Sequence, residues 1–243
     1  DLFHLEKLPQ RLVVVGAGYV AVEFAGVFAR LGVEVTLLVR RDAVLRSFDQ
    51  GLQDYAAGAL AHCGVDVRFQ SEPSSFARMN NGDMVVTLTD GNKLAADEVL
   101  LAAGRRPHIH GLGLEHADVS VSSSGAIMVD EYSRTNVASV FAIGDVTDRV
   151  NLTPVAISEA VALDRTLFDD MPTPVDHHTI PTAIFTQPAV GTVGWSEEYL
   201  LDQNADFDVW EGSFKPLKHT LSGVEEKFFF KLIAAPDEGQ VLG

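Results

Sequence analysis

The 243 residues, 47% of them hydrophobic, suffice for one large or two ordinary domains with a sizeable core. The formal net charge of −16 is unevenly spread: residues 1–107 carry 11 Lys and Arg against 13 Asp and Glu (−2), and residues 108–243 carry 7 against 21 (−14). That surface argues against nucleic acid as a partner, no apolar run is long enough to span a bilayer, and the lone cysteine, Cys63, excludes an internal disulfide framework and fits a reducing, cytoplasmic compartment.

Asp1 to Gln10 is a short lead-in in which Pro9 limits helix. Arg11 to Val39 then reads as strand, glycine turn, helix, strand. The turn is Gly16-x-Gly18-x-x-Ala21, a spacing that sets backbone N–H groups at a positive helix end where a pyrophosphate can sit. Gly16 permits the turn, Gly18 lets the backbone approach phosphate, and Ala21 keeps the helix close to the strand. Any tight strand-to-helix turn can carry the same glycines, so the second strand has to decide. An acidic residue at its end would hold a ribose 2′-hydroxyl; the sequence has Val39, Arg40 and Arg41 there, with Arg46 a short loop further on. Guanidinium groups fork onto a 2′-phosphate, so the residues point to NADP(H), the alternative being a solvated basic loop.

Gln50 to Cys63 has the apolar spacing of an amphipathic helix ended by Gly64, and Val65 to Phe69 is a third parallel strand. From Glu72 to Ala95 the period drops to two, with Asp90-Gly91 marking a tight turn, which predicts an antiparallel meander. Asp97 to Ala103 is a buried return strand ended by Gly104. One dinucleotide domain therefore closes at residue 107. In the next stretch, Ala126 to Val129 and Ser139 to Ile143 read as strands, the second ending in Gly144-Asp145, and Leu152 to Phe168 as a helix with Pro154 in its first turn. Two strands and a helix leave apolar faces uncovered. Thr179 to Gly194 is strand-like, Ser196 caps a helix through Leu201, and Phe207 to Phe214 pairs with Lys227 to Ile233. The chain starts with Asp1 and not Met, and the expectation is an interior slice of a longer polypeptide. Cys63 reads as a small core residue, and Asp176-His177-His178 as a solvated loop.

Three motifs resemble the glutathione reductase branch of the class I pyridine nucleotide-disulfide oxidoreductases: Gly16-Ala-Gly-Tyr-Val-Ala-Val-Glu23, Val39-Arg-Arg-Asp-Ala-Val-Leu-Arg-Ser-Phe-Asp49, and Thr135-Asn-Val-Ala-Ser-Val-Phe-Ala-Ile-Gly-Asp145 followed by Leu152-Thr-Pro-Val-Ala156. The resemblance implies an α/β fold: a Rossmann-like NADP-binding domain with parallel sheet and meander (1–107), a segment of an FAD-binding domain (108–178), and part of an α+β dimerisation domain (179–243). It further implies that Arg40 and Arg46, beside Arg41, grip the NADPH 2′-phosphate. Gly16, Gly18, Val20, Ala21, Val39 and Gly104 would frame the nucleotide, and Tyr19 would gate the nicotinamide pocket. Glu23 would pair with a lysine outside the chain near the flavin. Asp145 would accept from a ribityl hydroxyl of FAD, with the Leu152-Thr153 backbone facing the flavin. Tyr19 is otherwise a surface aromatic at a helix start, and Asp145 an Asp turn after a strand. The implied activity is a homodimer passing electrons from NADPH to FAD, to a cysteine pair and to glutathione disulfide. Neither that cysteine pair nor the family's His-Glu proton donor lies within these residues. Val161 stands where some members have an arginine contacting a glutathione carboxylate, which leaves trypanothione or another disulfide open as substrate, as well as a non-catalytic nucleotide-binding module. Arg165, one turn further on, is a candidate replacement for that arginine.

Overall fold

Arg11–Val15 (β1) is apolar throughout its centre and is covered on both faces, as expected for the middle of a parallel sheet: Leu12, Val13 and Val14 are all buried. In the computed structural model, which describes residues 2–80, 82–236 and 239–243, β1 is followed by Tyr19–Arg30 (α1), Glu34–Leu38 (β2), Gln50–His62 (α2) and Asp66–Arg68 (β3). Then come Pro73–Arg78 (β4), Met84–Leu88 (β5), Lys93–Ala96 (β6) and Glu98–Leu101 (β7). The order β3-β2-β1-β7 is parallel at every pairing, and β4-β5-β6 form an antiparallel meander. Alternation along β1 and β2 serves two layers. Leu12, Val14 and Leu37 pack against α1 and α2, while Val13 and Leu38 pack against Val86, Leu88 and Ala96 of the meander. The architecture is the expected α/β one.

The return strand differs from expectation in its burial. Glu98, Val99 and Leu100 are half-buried and Leu101 is 63% exposed, because β7 lies at the sheet edge and, among the described residues, has β1 as its one ladder partner. Asp97 fastens that edge. Its Oδ2 accepts from the Gln10 and Arg11 amides at 2.8 Å, and its Oδ1 accepts from Arg11 Nη2 at 2.6 Å.

The described residues up to Gly104 form one compact unit together with residues 181–243, and residues 105–180 form a second. Within the first unit, the stretch read as one strand over 179–194 is instead a hairpin, Thr182–Ile184 (β8) with Val190–Thr192 (β9). Pro188 lies in the connection, where it has no ladder N–H to lose. Glu197–Asp202 (α4, numbered after the helix of the second unit) is capped by the Ser196 hydroxyl, which accepts from the Tyr199 amide. Asp208–Phe214 (β10) pairs with Phe228–Ala234 (β11), bracketing Lys218–Ser222 (α5). Cys63 caps the end of α2 half-buried, its Sγ 3.7 Å from the Gln187 carbonyl oxygen, and is not a core residue.

The second unit contains Thr153–Phe168 (α3) and a small core of Val119, Ile127 and Ala142. Ala126 to Val129 and Ser139 to Ile143 are not ladder strands. They make single antiparallel bridges, Val121 to Ile127 and Arg134 to Phe141. Their backbone groups are divided among several neighbours: Ile127 donates to Val146, Met128 to Ser120 and Ala142 to Ser133. His177 is not in a solvated loop, because its Nε2 lies 2.7 Å from the buried Glu159 carboxylate.

Candidate functional site

Gly16 and Gly18 are required for different reasons. Gly16 sits at φ +148°, and a Cβ there would lie 2.3 Å from the Ala102 carbonyl oxygen and 3.2 Å from Ala21 Cβ, so the chain leaving β7 and helix α1 both close on it. Gly18 is the N-cap of α1 and has nothing within 4 Å of the place a Cβ would occupy. No side chain caps the first turn of α1, and no acidic residue lies in it. The protein itself does not demand glycine at 18; the open space in front of a positively polarised helix start does, if an anion is to reach the amides.

The loop after β2 supplies the charge. Val39 is fully buried, its amide donating to the Arg68 carbonyl and its own carbonyl accepting from Ser71, while Arg40 and Arg41 are exposed and so is Arg46. Val44 and Leu45 anchor the loop in the core. Leu45 adopts φ 53°, a left-handed conformation that costs a residue with a Cβ about 1 kcal/mol. Its amide donates to the Ala17 carbonyl at 2.7 Å, which ties the arginine loop to the glycine turn.

A cavity of about 580 Å³ is the result, and it brings together Gly16, Gly18, Arg40, Arg41, Arg46 and Gly104. Ser71, Glu72, Pro73 and Phe76 also line it; nothing in their residue types marks them, and the signal would have been the β3–β4 connection crossing Val39. The other expected residues lie off the wall. Ala21 is buried against the strand, Val20 is half-buried on α1, and half-buried Tyr19 packs against the main core. Glu23 Oε1 accepts from the Phe185 amide at 2.8 Å. In the second unit, Asp145 lies in a 3₁₀ turn over Gly144–Thr147, half-exposed and 3.6 Å from Arg105. Leu152 is the N-cap of α3 and Thr153 its first residue, again without a side-chain cap.

Two polar nodes were not foreseen. The first is Glu159, 1% exposed, which accepts from the Gly144 amide at 2.6 Å and pairs with Arg149 at 2.8 Å as well as with His177. The second joins Asp49 to Lys231 at 2.9 Å. Burial works against the Lys231 ammonium, but hydrogen bonds to Glu197 and Asp49 outweigh it and raise its pKa.

A parallel sheet with a glycine turn opening onto an arginine-walled cavity is the arrangement of a dinucleotide-binding α/β protein. The family model of the pyridine nucleotide-disulphide oxidoreductases matches residues 1–160, and that of their dimerisation domain matches residues 180–243. The chain belongs to this family. It is 42% identical over 239 residues to the chloroplastic/mitochondrial glutathione reductase of Pisum sativum, covering 98% of this chain and 43% of that protein. It is 40% identical to the glutathione reductase of Burkholderia cepacia (100% and 54% covered) and 38% identical to the trypanothione reductase of Trypanosoma congolense (100% and 50%). Among solved structures, the HOCl-induced flavoprotein disulfide reductase RclA from Escherichia coli superposes with a TM-score of 0.89 at 26% identity, over 99% of this chain and 55% of that one. The chain thus spans about half the length of the relatives it matches. Among the described residues, no helix is long and apolar enough to cross a membrane.

Proposed function

We propose that this chain is the NADPH-receiving part of a cytoplasmic, homodimeric flavoprotein disulfide reductase whose substrate is glutathione disulfide. The cavity carries the reading: open space at Gly18, an uncapped helix start and three arginines suit a pyrophosphate and a 2′-phosphate. In this reading residues 1–107 bind NADP(H), 108–178 complete an FAD-binding region and 179–243 belong to the interface domain. Gly16 and Gly18 seat the pyrophosphate, with Val20, Ala21, Val39 and Gly104 framing it, and Arg40, Arg41 and Arg46 hold the 2′-phosphate. Tyr19 gates the nicotinamide pocket, and Glu23 pairs with a lysine near the flavin that lies outside these residues. Asp145, Leu152 and Thr153 fit FAD, as an acceptor carboxylate and a helix start without a side-chain cap. Bound FAD supplies the two-electron relay between nicotinamide and disulfide. The chain's own residues orient the nucleotide and neutralise its phosphates.

Measuring NADPH and NADH affinity for Arg40→Leu and Arg46→Leu tests the cofactor assignment. Removing one charge-assisted hydrogen-bonding group should weaken NADPH by about 1.5 to 3 kcal/mol and leave NADH nearly unchanged. Equal weakening of both nucleotides would contradict it. Val161, exposed on α3, favours a second reading in which the disulfide carries fewer free carboxylates, as in a glutathione conjugate such as trypanothione. Turnover of the full-length protein with both disulfides separates the two readings.

A further inference from the structure

The arginine loop is held at both ends, and its far end is held by a residue from the other extremity of the chain. Upstream of Arg46, Leu45 is pinned to Ala17, and the Phe48 amide donates back to Leu45. Downstream, Asp49 Oδ1 accepts from the Gly51 amide at 2.9 Å and so caps α2, while Oδ2 accepts from the Glu197 amide at 3.1 Å. Lys231 Nζ, 182 residues away in sequence, reaches both oxygens of Asp49 at 3.0 and 2.9 Å, and Glu197 Oε2 at 2.6 Å. The Gln50 amide donates to Glu198. Asp49 and Lys231 side chains are only 13% and 11% exposed. One ammonium therefore separates two carboxylates, the nearly buried Asp49 and the partly exposed Glu197. Without it their repulsion falls on the three-residue step between Asp49 and Arg46, since Leu45 cannot move without breaking the core.

We propose that Lys231, acting through Asp49, is a positioning residue that sets where Arg46 stands and so determines the preference for a 2′-phosphorylated nucleotide. It touches no nucleotide itself. The segment matched by the dimerisation-domain model would thereby control cofactor selectivity in the nucleotide domain. This rests on the reading of the arginine cavity as an NADPH site, and the experiment keeps the two separate.

NADPH and NADH dissociation constants are to be measured on this chain for Lys231→Met, Lys231→Arg, Arg46→Leu and the double variant Lys231→Met/Arg46→Leu. Lys231→Met is expected to weaken NADPH about tenfold, the scale of a coupling between residues in one ion-pair network, and to leave NADH within about twofold. Lys231→Arg should restore most of the NADPH affinity, and Lys231→Met should add less than about twofold when Arg46 is already gone. Lys231→Gln, which keeps a hydrogen-bond donor toward Asp49 but not the charge, provides the same selective loss should Lys231→Met fold poorly. Equal weakening of both nucleotides, or full additivity with Arg46→Leu, would show a purely structural clamp and overturn the proposal. An unchanged NADPH affinity in Arg46→Leu would instead overturn the nucleotide reading beneath it.

Discussion

The Glu159 carboxylate accepts a 2.6 Å hydrogen bond from the amide of Gly144, the residue before Asp145. Its other oxygen meets Arg149 and His177, so a carboxylate that is 1% exposed has donors on both sides. An unpaired buried charge is expensive, and removing one member of such a set leaves Arg149 only 21% exposed without its partner. Glu159→Ala should lower the unfolding free energy by about 3 to 5 kcal/mol, and Glu159→Gln, which still accepts from Gly144, by about half as much. Urea denaturation of the two variants is the measurement; equal losses would mean that charge, not hydrogen bonding, is what the Gly144 turn requires.

The two glycines of the turn should fail in opposite ways. Gly16→Ala forces a methyl into the Ala102 carbonyl at an unfavourable φ and should destabilise the fold by about 2 to 4 kcal/mol. Gly18→Ala meets no protein atom within 4 Å, so the melting temperature should hold while NADPH and NADH affinities fall together, because both share the pyrophosphate. Calorimetry and nucleotide titration on the same samples check both. A Gly18→Ala variant that unfolds early yet binds normally would refute the division of roles.

The β10–β11 pair has one face that is apolar and open to solvent. Cross-strand partners Trp210 and Leu232, and Phe214 and Phe228, are 40–53% exposed on it. Gly212 lets Phe230 lie across the strand, where a Cβ would approach the ring to 2.9 Å. On the opposite face Val209 and Phe229 are half-buried, with Ile233 buried. Such a patch suits an interface of the kind proposed for the homodimer. Trp210→Glu with Phe214→Glu should leave the folded protein within about 1 kcal/mol of its stability and weaken self-association by at least about tenfold, read by sedimentation. Unchanged association would place the interface elsewhere.

Period and punctuation made most of the first unit legible in the sequence. Apolar runs of strand length broken by Gly16, Gly64 and the Asp90-Gly91 turn give the parallel strands and the meander directly, and the glycines and arginines were read from the same segments. What was not legible depends on partners distant in sequence. Leu101 looks like a core residue until β7 proves to be the sheet edge, and Ser139 to Ile143 reads as a strand although its amides serve several neighbours. Asp49 and Glu159 carry no local mark of these roles, and each acquires its role from a residue that only the fold brings near, Lys231 and His177.

Asp97 gives the fold a specific sensitivity to acid. Hydrogen bonds from the Arg11 side chain and from the Arg11 and Gln10 amides hold its carboxyl below the ordinary value of 3.8, and the same pairing raises the Arg11 guanidinium. A group with a depressed folded-state pKa binds its proton more readily in the unfolded chain. Its contribution is therefore complete above the ordinary carboxylate value and is lost as pH falls through that value toward the lower folded one. The bonds in question join the start of β1 to the start of β7, so protonation loosens the sheet edge first. Asp97→Asn should be less stable than the parent at pH 7, with a lower urea midpoint, and the two midpoints should converge as pH falls through the ordinary carboxylate value toward the lower folded one. A gap that persists undiminished into acid would show that Asp97 acts through its shape and not through its charge.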